Sequence, residues 1–272
     1  MELNSCGVNS QATKDTVMKY APTCLNDEDV EKLDSILEPL PRGWDNVDGE
    51  RKIPSKDDKI IVWNHRPDGY KGYPWFLSMM DELRKTRQDF RVWVPLATSP
   101  DRDYIYVDGF NRKGYFTELS GCWVGVCGQS QHTGWANSAS DGMAVGVPYI
   151  FYDADYYEQY AQDAGLYFKT DEDFLKQINK ILDQEALRMI HSDRSEVLGE
   201  NNSWDNIIKQ YNNHFVRAEE QFKIVSETDT YKKIVEYIHE QGYVSKFNLV
   251  NYLKWGKGIP VSYTHLTLPT KA

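Results

Sequence analysis

Cysteine is scarce in this chain. Four in 272 residues, Cys6, Cys24, Cys122 and Cys127, make no disulfide framework at this length. Cys122 and Cys127 lie in the apolar stretch CWVGVC and read as reduced core residues. No His/Cys cluster has the spacing of a zinc site. No aspartate pair ends a strand to hold a divalent cation; Asp101 and Asp103 form DRD, but they precede a strand and suit a turn. Basic residues are outnumbered, 31 Lys and Arg against 41 Asp and Glu, for a formal net charge of −10. That excludes a wholesale basic surface for nucleic acid and leaves room only for a local patch. No run of about 18 apolar residues occurs, so no membrane span is expected. The start, MELNSCGVNSQATKD, lacks the basic and apolar parts of a signal peptide, and the expected location is cytoplasmic.

What is present is an alternating pattern. Hydrophobic residues make up 40% of the chain, enough for one large domain or two small ones. Residues 1–43 read as a connecting region: a strand end, a helix capped by Ser10 and stopping before Pro22, and a helix with Val30, Leu33, Ile36 and Leu37 at helical spacing. WDNVDGERKIPSKDD is polar and turn-rich, a linker. From Lys59 onward strands are expected at 60–63, 89–96, 103–110, 121–127, 147–153 and 165–169. Helices are expected between them at 74–87, 112–120, 135–146 and 156–165, and after them at 171–183. Strands alternating with helices predict an α/β doubly wound parallel sheet over 56–215. A long helix at 202–225 opens a C-terminal helical extension, 216–260. In that extension, helices at 231–241 and 246–255, joined at Gly242, suggest a helix-turn-helix.

Two loops carry candidate chemistry. In doubly wound sheets ligands sit outside the carboxyl ends of strands. The loop after IIVW holds Asn64, His65, Arg66 and Lys71 at such an end, just before a helix. Fixed cations beside a helix N-terminus make an anion site, and a diphosphate would employ both: Arg66 by paired hydrogen bonds, Lys71 as a point charge. Gly69 and Gly72 would let the backbone turn. A solvated surface loop is the plainer alternative. The second stretch is GQSQHTGWANSASDGMAVGVPYIF, residues 128–151. Its small residues leave room for a ligand, or for tight helix packing. Asp141, about two turns into a helix beginning near Trp135, could accept two hydrogen bonds from a ribose diol.

Together these stretches resemble the C-terminal, donor-binding half of a GT-B glycosyltransferase, in particular the retaining family four group. That family follows a strand with an Arg and a Lys-Gly that contact the donor diphosphate; here WNHRPDGYKG supplies Arg66 and Lys71-Gly72. The family then carries a Glu, seven residues, and Glu-Ala-Met-Ala-x-Gly-x-Pro; here the second half reads Asp141-Gly142-Met143-Ala144-Val145-Gly146-Val147-Pro148. The resemblance puts Asp141 at the nucleotide ribose. It puts Thr133, with His132 beside it, where the family's first Glu lies near the transferred sugar, a departure from the pattern. Asn137 and Ser138 become candidates for phosphate, and Gly109 and Phe110 for the base. His65 and His132 each suit a structural hydrogen bond or a catalytic role. The implied donor is a UDP- or GDP-sugar, with no permanently bound cofactor and no metal. The alternative is a module that holds a nucleotide or sugar phosphate without turnover.

The resemblance further implies that residues 1–55 are the remnant of a first domain plus the interdomain linker. The helix SWDNIIKQYNNHF then corresponds to the family's closing helix. Residues 261–270, VSYTHLTLPT, resemble a translated sequencing-library adapter, so 261–272 are set aside from fold reasoning. On that basis the natural chain is expected to continue past Pro260, Met1 to be internal, and the chain to be a transferase fragment, inactive alone because its acceptor half is mostly missing. The acceptor is unknown. Lys246, Lys254, Lys257 and Trp255 in 225–260 raise the idea of DNA, and with it a modified base of viral DNA as acceptor in a host cytoplasm, against a glycan or a plain helical hairpin.

Overall fold

The computed structural model describes residues 6–8, 10–45, 50–99, 102–128 and 135–226. The chain begins with β1 (Cys6–Val8), α1 (Gln11–Tyr20), α2 (Asp27–Ile36) and β2 (Leu37–Pro39). Ser10 caps α1, its hydroxyl accepting from the Thr13 N–H, and the helix stops ahead of Pro22 as expected. The strands β1 and β2 pair in parallel. Leu37, expected as the last apolar residue of a helix, is instead the first residue of β2. Pairing with Cys6 satisfies backbone groups that one more helical residue would not.

The main body follows: β3 (Lys59–Val62), α3 (Tyr73–Arg84), β4 (Phe90–Trp93), β5 (Ile105–Tyr106), α4 (Arg112–Ser120), β6 (Val124–Cys127), α5 (Asn137–Met143), β7 (Tyr149–Tyr152), α6 (Asp155–Ala161), β8 (Leu166–Phe168) and α7 (Asp171–Asp183). All six strands are parallel, in the order β5-β4-β3-β6-β7-β8. This is the expected doubly wound α/β sheet, Rossmann-like in its order. Both faces are apolar because helices cover both. Ile61, Val92, Val124 and Ile150 face the side covered by α3 and α7. Val62, Trp93, Cys127 and Phe151 face α4, α5 and α6. α7 is capped by Thr170 and buries Phe174, Ile178, Ile181 and Leu182, as its periodicity predicts.

Two elements depart from expectation. A full helix, α8 (Glu185–Asn201), occupies a stretch where none is expected. The stretch read as a linker begins with a core residue: Trp44 is 2% exposed and forms a bridge with Ser203, its N–H donating to the Asn202 carbonyl at 2.7 Å. The last helix, α9 (Trp204–Ser226), returns to the β1–β2 pair. There Glu38 takes the His214 Nδ1 contact at 2.7 Å and an ion pair from Arg217, and the Tyr211 hydroxyl donates to the Leu40 carbonyl. Residues 227–260, with the expected helix-turn-helix, and the tail 261–272 lie outside the described residues. Among the described residues no helix is long and apolar enough to cross a membrane.

Candidate functional site

The strand order reverses between β3 and β6. The chain leaves β3 toward one side of the sheet and β6 toward the other, which opens a crevice at their carboxyl ends. The loop after β3 carries Asn64, His65, Arg66 and Lys71. The loop after β6 leads to the start of α5, with Asn137, Ser138 and Asp141. Arg66 and Lys71 on one side and Asn137, Ser138 and Asp141 on the other therefore lie at the same edge of the sheet, about the switch point.

Two hydrogen-bonding residues tie its sides together. Asn64 Nδ2 donates to the Ser138 carbonyl at 2.7 Å and to the Tyr115 hydroxyl at 3.0 Å. His65 Nδ1 lies 2.7 Å from Ser138 Oγ, and its Nε2 lies 3.1 Å from Cys127 Sγ. The Tyr149 hydroxyl donates to Asn64 Oδ1 at 3.0 Å. This network is the buried floor of the crevice. Burial, helped by the nearby Lys71 charge and opposed by a backbone hydrogen bond at Val126, drives the His65 pKa down to about 3. His65 is thus a neutral structural histidine at physiological pH. Burial also pushes the Cys122 and Cys127 thiols up, so both stay protonated core groups, as expected.

Above the floor sit the cations. The Arg66 side chain is 67% exposed, 3.6 Å from Asp68, and it donates a hydrogen bond to the Tyr70 hydroxyl. The Arg66 guanidinium carbon and the Lys71 ammonium each lie 5.3 Å from the centre of the Tyr70 ring. Gly72, at φ 84°, is the N-cap of α3 and makes no side-chain cap. That left-handed turn is the one expected of it. Gly69 has no positive φ and open space around its Cα, so its lack of a side chain is not required by the backbone there.

Asp141 sits one turn into α5, which begins at Asn137, later than expected. Tyr115 donates to Asp141 Oδ2 at 3.4 Å. Burial raises the Asp141 pKa to about 6; Asp45 raises it too, while Arg42, the Tyr115 hydrogen bond and Arg112 oppose. Asp45 holds Arg112 at 2.7 Å and Arg42 at 3.7 Å. The Asp141 carboxyl is thus partly desolvated and lies among the charges of Asp45, Arg42 and Arg112.

The other expected residues are placed as follows. Asn137 is exposed at the start of α5, while the Ser138 hydroxyl is engaged with His65. Gly109 is open, and Phe110 is 42% exposed, edge-on to Trp93. His132 and Thr133 lie outside the described residues. Sequence reasoning assigned no role to Tyr115, Tyr149, Arg42, Asp45 or Arg112. It also missed Trp135, which stacks on Trp44 at 5.8 Å and on Tyr160 at 5.0 Å. None of these six carries a local signal in the sequence. Among the described residues no group of three or more His, Cys, Asp or Glu side chains could hold a metal.

No family model matches the chain, and a search of curated proteins finds no match. Solved structures do match. The GtfA/B complex aligns with a TM-score of 0.61 at 14% identity, over 80% of this chain and 46% of that one. Sucrose-phosphate synthase from Thermosynechococcus elongatus aligns at 0.61 and 16%, over 80% and 60%. The pneumococcal O-GlcNAc transferase GtfA, in complex with UDP and GlcNAc, aligns at 0.60 and 14%, over 80% and 45%. The chain thus spans 45% to 60% of the length of these chains. At such identities the likeness is one of fold, and the fold is the Rossmann-like α/β fold found in these glycosyltransferases.

Proposed function

We propose that this chain is the donor-binding part of a GT-B glycosyltransferase that moves a sugar from a nucleoside-diphosphate sugar to an acceptor. One observation carries the reading: at the β3/β6 switch point the loop after β3 brings the cations Arg66 and Lys71 and the first turns of α5 bring the partly buried Asp141, with Asn64 and His65 of that loop bonded to Ser138 of α5. Arg66 and Lys71 take the diphosphate, with the N-terminus of α3 behind them. Asp141 takes the ribose diol, Gly109 and Phe110 the base, and Asn137 a phosphate oxygen. As the bond from the sugar anomeric carbon to the β-phosphate oxygen breaks, its electron pair goes to that oxygen, and the acceptor hydroxyl oxygen bonds to the carbon while its proton passes to the departing phosphate oxygen. The two cations stabilise the charge that develops, without a metal. Retention of anomeric configuration, a hexosyl donor and a sugar contact by His132 and Thr133 belong to the same reading. So does the division into a first-domain remnant (1–55) and a donor domain (56–215). The bound UDP in the pneumococcal neighbour supports UDP as the first nucleotide to test. A DNA acceptor rests on 225–260 alone; salt-sensitive DNA binding by the chain would support it, and no binding at low salt would remove it.

The test is thermal stabilisation by UDP, GDP and their sugar conjugates. Binding should raise Tm for one nucleotide family, by about 3 kcal/mol of stability at a hundredfold excess over Kd. Arg66→Ala and Asp141→Ala should each abolish most of that rise. A rise unchanged in both variants would place the nucleotide elsewhere.

A further inference from the structure

We infer that Tyr70 is a positioning residue for the diphosphate, a role that rests on the donor-site reading above. The loop after β3 presents its two cations on long side chains, and Arg66 is largely exposed. Free long side chains lose rotamer freedom when a ligand immobilises them. Here one aromatic ring gathers both. Tyr70 lies in the turn Gly69–Lys71, directly before the Gly72 cap of α3. Its hydroxyl accepts from Arg66, and the Arg66 and Lys71 charges both stand 5.3 Å from its ring centre. By that geometry the two charges are no more than about 11 Å apart, each attracted to the ring. Asp68 holds Arg66 from another side at 3.6 Å. The ring fixes the cations before the ligand arrives, so less ordering remains for binding. Leucine at this position would fill similar space and hold neither charge.

The experiment is calorimetric titration of the full chain with UDP and GDP, for the wild type, Tyr70→Phe and Tyr70→Leu, each also in an Arg66→Ala background. Tyr70→Leu should weaken binding of the preferred diphosphate roughly tenfold, and Tyr70→Phe, which keeps the ring, about threefold. The Tyr70→Phe loss should vanish in the Arg66→Ala background, because the hydroxyl acts through Arg66. A purely structural role would persist there. Wild-type affinity in Tyr70→Leu, or an undiminished Tyr70→Phe loss without Arg66, would overturn the inference. Should Tyr70→Leu fail to fold, the Tyr70→Phe cycle decides alone. If the wild type binds neither UDP nor GDP, the donor-site reading falls, and the role of Tyr70 with it.

Discussion

Replacing Asp141 by asparagine should stabilise the ligand-free chain at neutral pH. The carboxyl has an ordinary value of 3.8 and is raised to about 6, first by burial and then by Asp45. The folded chain therefore holds this proton more tightly than the unfolded chain does. Between pH 4 and pH 6 the unfolded state has released it and the folded state has not. Stability tied to Asp141 is thus fully present below about pH 4 and is lost as pH rises toward 6. At 1.36 kcal/mol per pH unit, the gap sets a ceiling of about 3 kcal/mol above pH 6. Asparagine is isosteric, keeps an acceptor for Tyr115 and carries no charge to desolvate. It forgoes the attraction of Arg42 and Arg112, so the gain expected is about 1–3 kcal/mol. Urea denaturation at pH 7.5 and pH 4 measures it. Asp141→Asn should be the more stable at pH 7.5 and nearly equal to wild type at pH 4, with an unchanged m-value. Destabilisation at pH 7.5, or a difference that does not vary with pH, would refute the reasoning.

Two further outcomes follow from the floor of the crevice. Gly142→Ala places a Cβ 2.3 Å from the Tyr149 ring and hydroxyl, inside a fully buried site; it should destabilise by about 1–3 kcal/mol in the same denaturation assay. The His65 imidazole, held at about 3, should show no titration by NMR between pH 8 and pH 4.5. Its neutral burial costs stability only as pH falls below 6.5, where the unfolded state takes up the proton first.

The main sheet was legible because its strands are nearly continuous apolar runs. Each face of β3 and β6 meets a helix layer, and only hydrophobic residues suit both. The cations were legible because Arg66 and Lys71 interrupt such a pattern at a strand end. α8 was not legible, and its packing says why. Its buried stripe is Arg188, His191, Ser195 and Gly199, none of them a hydrophobic signal. Arg188 Nε donates to the Trp123 carbonyl at 3.1 Å, and His191 Nδ1 meets the Ala164 carbonyl at 3.0 Å. Meanwhile Met189, Ile190 and Val197 are exposed. A helix docked through polar contacts inverts the periodicity that sequence reasoning relies on. β2 was hidden differently: three residues are too few to show alternation, and Leu37 continued the spacing of α2. The Trp44–Trp135–Tyr160 stack joins residues far apart in sequence, so no local pattern reveals it.

The most direct measurement is a crystal structure of the chain grown with UDP or GDP. The account predicts a diphosphate between Arg66 and Lys71 at the N-terminus of α3, with the ribose hydroxyls on Asp141. A nucleotide bound away from the carboxyl ends of β3 and β6, or one whose ribose faces Arg66 and whose phosphates face Asp141, would contradict it.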